Sequence, residues 1–130
     1  MTIANWCIVA ACVMPVLTAG LAKASTARLA RKEGGYDNRQ PRAWAAHLSG
    51  WQARAMAAHS NGFEALPLFI AAVVLAQQAH VEQGRVDMLA LVFIAIRVVY
   101  VATYLMNQAT LRSLVWSGGV AVCIALIAMT

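Results

Sequence analysis

Residues 3–22 read IANWCIVAACVMPVLTAGLA, twenty positions without a charge. As a helix rising about 1.5 Å per residue this stretch spans roughly 30 Å, the depth of a bilayer's hydrocarbon core. No Lys or Arg precedes it, and the basic residues begin only at Lys23. A cleaved secretory leader has the opposite charge order, so the pattern predicts a retained first membrane helix, with Pro15 a candidate kink.

Three further apolar runs follow: residues 62–79, residues 88–106 interrupted by Arg97, and the uncharged run 114–130. Apolar residues at helical spacing resume from Pro41 (Trp44, Leu48, Trp51, Ala55), so the second helix is expected to start near residue 43 and to project beyond the bilayer. The predicted helices are 3–22, 43–79, 87–106 and 112–130. The connections between the last three are short, which makes neighbours antiparallel. The expected fold is all-α, a single-domain integral membrane protein built as an antiparallel four-helix transmembrane bundle.

Composition agrees. The chain has 130 residues, 62% of them hydrophobic, with ten basic and five acidic side chains. That is too apolar for disorder and too short for a second domain. Cys7, Cys12 and Cys123 all lie in apolar runs and form no C-x-x-C or His–Cys cluster, so neither a disulfide framework nor a metal site is expected. A net charge of +5 could suggest nucleic acid, but seven of the ten basic residues fall between Lys23 and Arg54, beside membrane spans. Such clusters set orientation, so no nucleic-acid partner is expected.

The first connection holds Lys23, Arg28, Arg31, Lys32, Arg39 and Arg42, whereas the second holds Arg85 as its sole cation. The positive-inside rule therefore puts the first connection and the turn at 107–113 in the cytoplasm, and both termini on the other side. Trp44 and Trp51 fit an interfacial aromatic belt. The Gly118–Gly119 pair suits close helix contact.

Charges inside the spans carry the functional signal, because each costs about 2.5 to 3.5 kcal/mol at the bilayer centre on insertion scales and must face protein or water. At about 100° per residue, Arg54, Asn61 and Glu64 share one face of the second helix. Arg97, Tyr100 and Tyr104 form one stripe on the third, and Arg112 follows the cytoplasmic turn. An ion pair between Glu64 and Arg97 would account for those two residues alone. The surplus of Arg and Tyr around one carboxylate suggests a site for an anionic ligand with an amino group. His59 falls on a different face from Asn61. Ser113 either caps a helix starting at Leu114 or donates to a ligand.

The segment Arg54–Phe69, RAMAAHSNGFEALPLF, resembles the signature of the MAPEG family, an Arg-containing stretch leading into N-x-x-E and then P-x-F. The stripe Arg97-x-x-Tyr100-x-x-x-Tyr104 is similar to the third helix of leukotriene C4 synthase-like members, and Arg112-Ser113 to the fourth-helix Arg-Ser of prostaglandin E synthase-like members. The resemblance implies a bacterial-type homotrimer in the inner membrane, with sites between subunits near the cytoplasmic face. Glutathione, as thiol cosubstrate, would be bound by Arg54, Asn61, Glu64, Arg97 and Tyr100. Arg112, helped by Tyr104, would stabilise the thiolate, and a cleft open to lipid would admit small hydrophobic electrophiles or lipid hydroperoxides. The implied activity is that of a membrane glutathione transferase or peroxidase.

The chain departs from that pattern at two places. Ala57 stands where well-characterised glutathione-using members have a second Arg, and Ala65 where some have a Tyr. Arg28 or Arg31 of a neighbouring subunit could supply the missing cation. The alternative is a non-catalytic protein on the same scaffold that binds lipid or a partner helix.

Overall fold

A computed structural model describes residues 1–130. It contains five α-helices, α1 (Ile3–Thr26), α2 (Pro41–Ala46), α3 (Gly50–Gln78), α4 (Gln83–Leu105) and α5 (Ala109–Ala128), with a 3-10 turn at Arg31–Glu33 and no strand. Four of them, α1, α3, α4 and α5, are long and apolar enough to cross a membrane.

The expected helix over 43–79 is divided in two. Pro41 starts α2 at its first turn, and His47 Nδ1 folds back onto the Ala43 carbonyl oxygen at 2.6 Å. Gly50 then takes φ +59°, a left-handed conformation that glycine adopts without penalty and that no continuous helix can pass through. Three boundaries shift outward, α1 running on to Thr26, α4 beginning at Gln83 and α5 at Ala109, while the last three helices end one or two residues earlier than expected, at Gln78, Leu105 and Ala128. Polar residues at these ends remain helical beyond the apolar runs that revealed the spans.

Helices α3 and α4 end in the same way. His80 (φ 58°) and Asn107 (φ 59°) are left-handed. The next residues close the helix, Val81 N–H donating to Ala76 O at 3.1 Å and Gln108 N–H to Thr103 O at 2.9 Å. This six-to-one bond and the five-to-two bonds from His80 and Asn107 satisfy carbonyls that a helix end would leave bare.

The core is built from small side chains with a few large ones between them. Ala4, Cys7 and Ala11 of α1 meet Phe69, Ala72, Val73 and Ala76 of α3, Val86, Ala90 and Phe93 of α4, and Cys123 and Leu126 of α5. Phe69 and Phe93 stack with ring centroids 3.9 Å apart and planes 7° from parallel. Only 26 of 130 residues are buried, and Trp6, Val16, Leu17, Leu91, Val98, Leu114 and Ile124 are exposed. So much bare apolar surface suits a lipid-facing exterior and not a water-facing one.

Two polar contacts fix the helix ends. Asp87 Oδ1 accepts from the Ala4 backbone N–H at 2.8 Å and from Gln83 Nε2 at 2.7 Å, so a side chain of α4 caps α1. Gln77 Nε2 donates to Thr2 Oγ1 at 2.9 Å, and Thr2 caps Asn5. The Ala4–Asp87 and Thr2–Gln77 contacts gather the start of α1, the end of α3 and the start of α4 at one end of the bundle. The first connection and the α4–α5 turn lie at the other.

Trp44 is not part of a lipid-facing belt. It is 7% exposed, packs with Ala22 and Ala55, and donates its indole N–H to Gly34 O at 3.2 Å. Trp51 is exposed, as a belt residue would be.

Candidate functional site

The predicted polar stripes do come together, but through partners the sequence did not specify. Arg97, on α4 and only 6% exposed, directs both Nη1 and Nη2 to Asn61 Oδ1, each at 3.1 Å. Asn61 Nδ2 in turn donates to Glu64 Oε2 at 3.2 Å. The ion pairs in the chain are Arg31–Asp37 and Arg85–Glu82, so Glu64 and Arg97 do not pair directly. Asn61 stands between them as a neutral relay, its amide accepting from the cation and donating to the anion. Glu64 itself is exposed, which leaves a carboxylate oxygen available.

From Arg97 the stripe continues through cation–π and edge-to-face aromatic contacts. The Arg97 guanidinium lies 4.3 Å above the Tyr100 ring, and Tyr100 meets Tyr104 edge to face at 5.6 Å. The Arg112 guanidinium sits 4.3 Å above the Tyr104 ring. Spacings of three and four residues put both tyrosines on the α4 face that carries Arg97, and the short turn after Leu105 brings Arg112 back over them. Tyr100 is buried, whereas Tyr104 and Arg112 are partly open.

Two adjoining hollows follow this path. One, of about 460 Å³, is lined by Asn61, Tyr100, Tyr104, Arg112, Ser113, Trp116 and Ser117. The other, of about 260 Å³, is lined by Asn61, Glu64 and Arg97 together with Leu68, Phe93, Trp116 and Val120. They share Asn61 and Trp116. Together they make a two-part cleft among α3, α4 and α5, with Glu64, Arg97 and most of the apolar residues in one part and Arg112 with the tyrosines and serines in the other. A cavity of roughly 300–1,000 Å³ with a few converging polar groups is the usual form of a small-molecule site.

Arg54 is engaged elsewhere. Its Nε and Nη2 both donate to Leu105 O, at 3.1 and 3.0 Å. A cation on the last carbonyls of α4 satisfies an exposed acceptor and complements the helix dipole. Arg54 therefore holds the end of the helix that carries Arg97, Tyr100 and Tyr104. Ser113 is inside α5 and returns its hydroxyl to Ala109 O at 3.2 Å, so it is not the N-cap.

Three features were missed in the sequence. His59 Nδ1 contacts Pro15 O at 2.8 Å, joining α3 to α1. Gly62, inside the N-x-x-E motif, faces Pro15 so closely that an added Cβ would lie 2.6 Å from its Cγ. The cap of α1 by Asp87 is the third. A glycine between Asn61 and Glu64 was a usable signal for the close approach; the other two depend on tertiary placement.

The model of the MAPEG family fits residues 3–130, essentially the whole chain. The protein belongs to the MAPEG family. It is accordingly a membrane protein of the eicosanoid and glutathione metabolism type. No curated protein and no solved structure matches the chain. Within this MAPEG chain, Ala65 lines the cleft beside Glu64, so the cleft wall there is a methyl group.

Proposed function

We propose that the cleft binds glutathione and activates its thiol for transfer to a small hydrophobic electrophile, or for reduction of a lipid hydroperoxide. The observation that supports this most is the continuous chain of contacts from Glu64 through Asn61 and Arg97 by hydrogen bonds, and on through Tyr100 and Tyr104 to Arg112 by aromatic and cation–π contacts. Glutathione has two carboxylates, an ammonium and a thiol. Glu64, with an oxygen free, suits the ammonium, and Arg97, held by Asn61, suits a carboxylate. Tyr100 supports the Arg97 guanidinium from below. Arg112 remains for the sulfur.

The thiolate is the nucleophile, and a guanidinium beside it lowers the thiol pKa and raises the reactive fraction at neutral pH. In the transfer reaction the sulfur lone pair forms a bond to the electrophilic carbon. The leaving group departs with the bonding pair, or, in an addition, the charge passes to the acceptor and is then protonated. Tyr104, under Arg112, keeps the guanidinium directed into the hollow. Leu68, Phe93, Trp116 and Val120 offer an apolar wall for the second substrate.

The helix-end contacts support antiparallel neighbours, and the exposed carboxylate of Glu64 supports a homotrimer in which a neighbouring subunit covers Glu64 and completes the site. In this reading the site opens toward the cytoplasm, where the basic first connection lies. Conjugation of glutathione to an aromatic electrophile by detergent-purified protein tests the proposal, comparing wild type with Arg112→Ala. Turnover in the wild type and its loss in the variant are expected; equal turnover would remove Arg112 from the chemistry.

A further inference from the structure

Of the net charge of +5, +4 resides in residues 23–42: Lys23, Arg28, Arg31, Lys32, Arg39 and Arg42 against Glu33 and Asp37. A loop that only set membrane orientation would need these charges and no fixed shape. This one is folded. Trp44 holds Gly34 by its indole N–H and meets Tyr36 edge to face at 4.9 Å. Gly34 takes φ +93°, Gly35 N–H bonds to Ala30 O at 3.0 Å, and Asp37 Oδ1 accepts the Arg39 backbone N–H at 2.9 Å. The Lys23 ammonium rests 4.6 Å above the Tyr36 ring.

The folded loop frames an open hollow of about 340 Å³ lined largely by polar residues, among them Arg31, Lys32, Gln40, His47 and one carboxylate, Asp37, which is held by Arg31. Of the six cations, Arg31 alone has a carboxylate partner, Asp37 at a long 3.9 Å. Arg28, Lys32, Arg39 and Arg42 are exposed. Beside them Leu29 presents 48% of its surface, an apolar anchor between Arg28 and Arg31. The loop joins two membrane-length helices, so these groups lie at the membrane surface, where anionic headgroups and acyl chains meet.

We propose that this hollow is a binding site for the phosphate of an anionic phospholipid. Arg31 and Lys32 hold the phosphate, and Leu29 enters the acyl region. Charge complementarity favours this occupant: basic residues beside a membrane helix attract anionic lipid, and a preformed pocket loses less entropy on binding than a mobile tail. Within the chain this hollow shares no lining residue with the α3–α5 cleft.

Native mass spectrometry of the full-length protein, with phosphatidylglycerol or phosphatidylcholine added, tests it. Phosphatidylglycerol should be retained in preference to phosphatidylcholine. Since one cation near an anionic surface contributes about fivefold, Arg31→Gln/Lys32→Gln should weaken retention roughly 30-fold. Melting curves of the variant in detergent confirm that it is folded. Equal retention of the two lipids by the wild type would overturn the proposal, as would an undiminished preference in the folded variant. Displacement of phosphatidylglycerol by millimolar inorganic phosphate would also overturn it, because the pocket would then recognise free anions and not lipid.

Discussion

Asn61 Oδ1 receives both terminal nitrogens of Arg97, and its amide nitrogen passes the contact on to Glu64. One neutral side chain thus keeps a buried guanidinium and an exposed carboxylate apart while coupling them. Leaving Arg97 without this acceptor removes hydrogen bonds to a charged group, worth about 1.5–3 kcal/mol. Asn61→Leu should lower the thermal midpoint in detergent accordingly. An unchanged midpoint would mean that Arg97 finds another acceptor.

Arg54 acts as a clamp on α4 through Leu105 O. Arg54→Ala exposes a helix-end carbonyl and removes a favourable dipole contact, together about 1–2 kcal/mol. Arg54→Lys should recover part of that loss, because it keeps the charge and gives up the two-pronged bond. Hydrogen exchange of amides near residues 103–108 would locate the effect. Exchange there should quicken in Arg54→Ala.

Gly62 is required by the approach of Pro15. Gly62→Ala places a methyl group against the proline ring and should cost about 1–3 kcal/mol, as overpacked cores do. Pro15→Ala removes the nearest ring carbon, so the double variant should melt above Gly62→Ala alone. Additive losses in the double variant would contradict this pairing.

The spans were legible because lipid imposes a simple rule: apolar runs of bilayer length survive any detail of packing. The stripe Arg97–Tyr100–Tyr104 was legible for a similar reason, since helical spacing alone puts those residues on one face. The partner of Arg97 was not. Asn61 and Glu64 share a face, and which of them meets Arg97 depends on helix rotation and depth. Arg54 shares that face too, yet it bonds a backbone carbonyl, which no side-chain pattern records. The break before Gly50 was hidden because Trp44, Leu48 and Trp51 keep helical spacing across it, although Trp44 serves a loop cluster and not the span.

Arg112 should act on the sulfur. Losing one preorganised charge partner of a reacting anion costs roughly 100-fold or more in turnover. Arg112→Ala should also shift the thiolate absorbance of bound glutathione to higher pH, since removing a neighbouring cation raises the thiol pKa. A turnover loss without that spectral shift would point to positioning, not thiolate stabilisation.

Calorimetry on the detergent-purified wild-type protein titrated with glutathione, alongside Glu64→Ala, asks directly whether this cleft holds glutathione. Saturable heat is expected in the wild type and weaker binding in the variant, which has lost the group placed to face the ammonium. No detectable heat from folded wild-type protein at millimolar glutathione would contradict glutathione binding in this cleft.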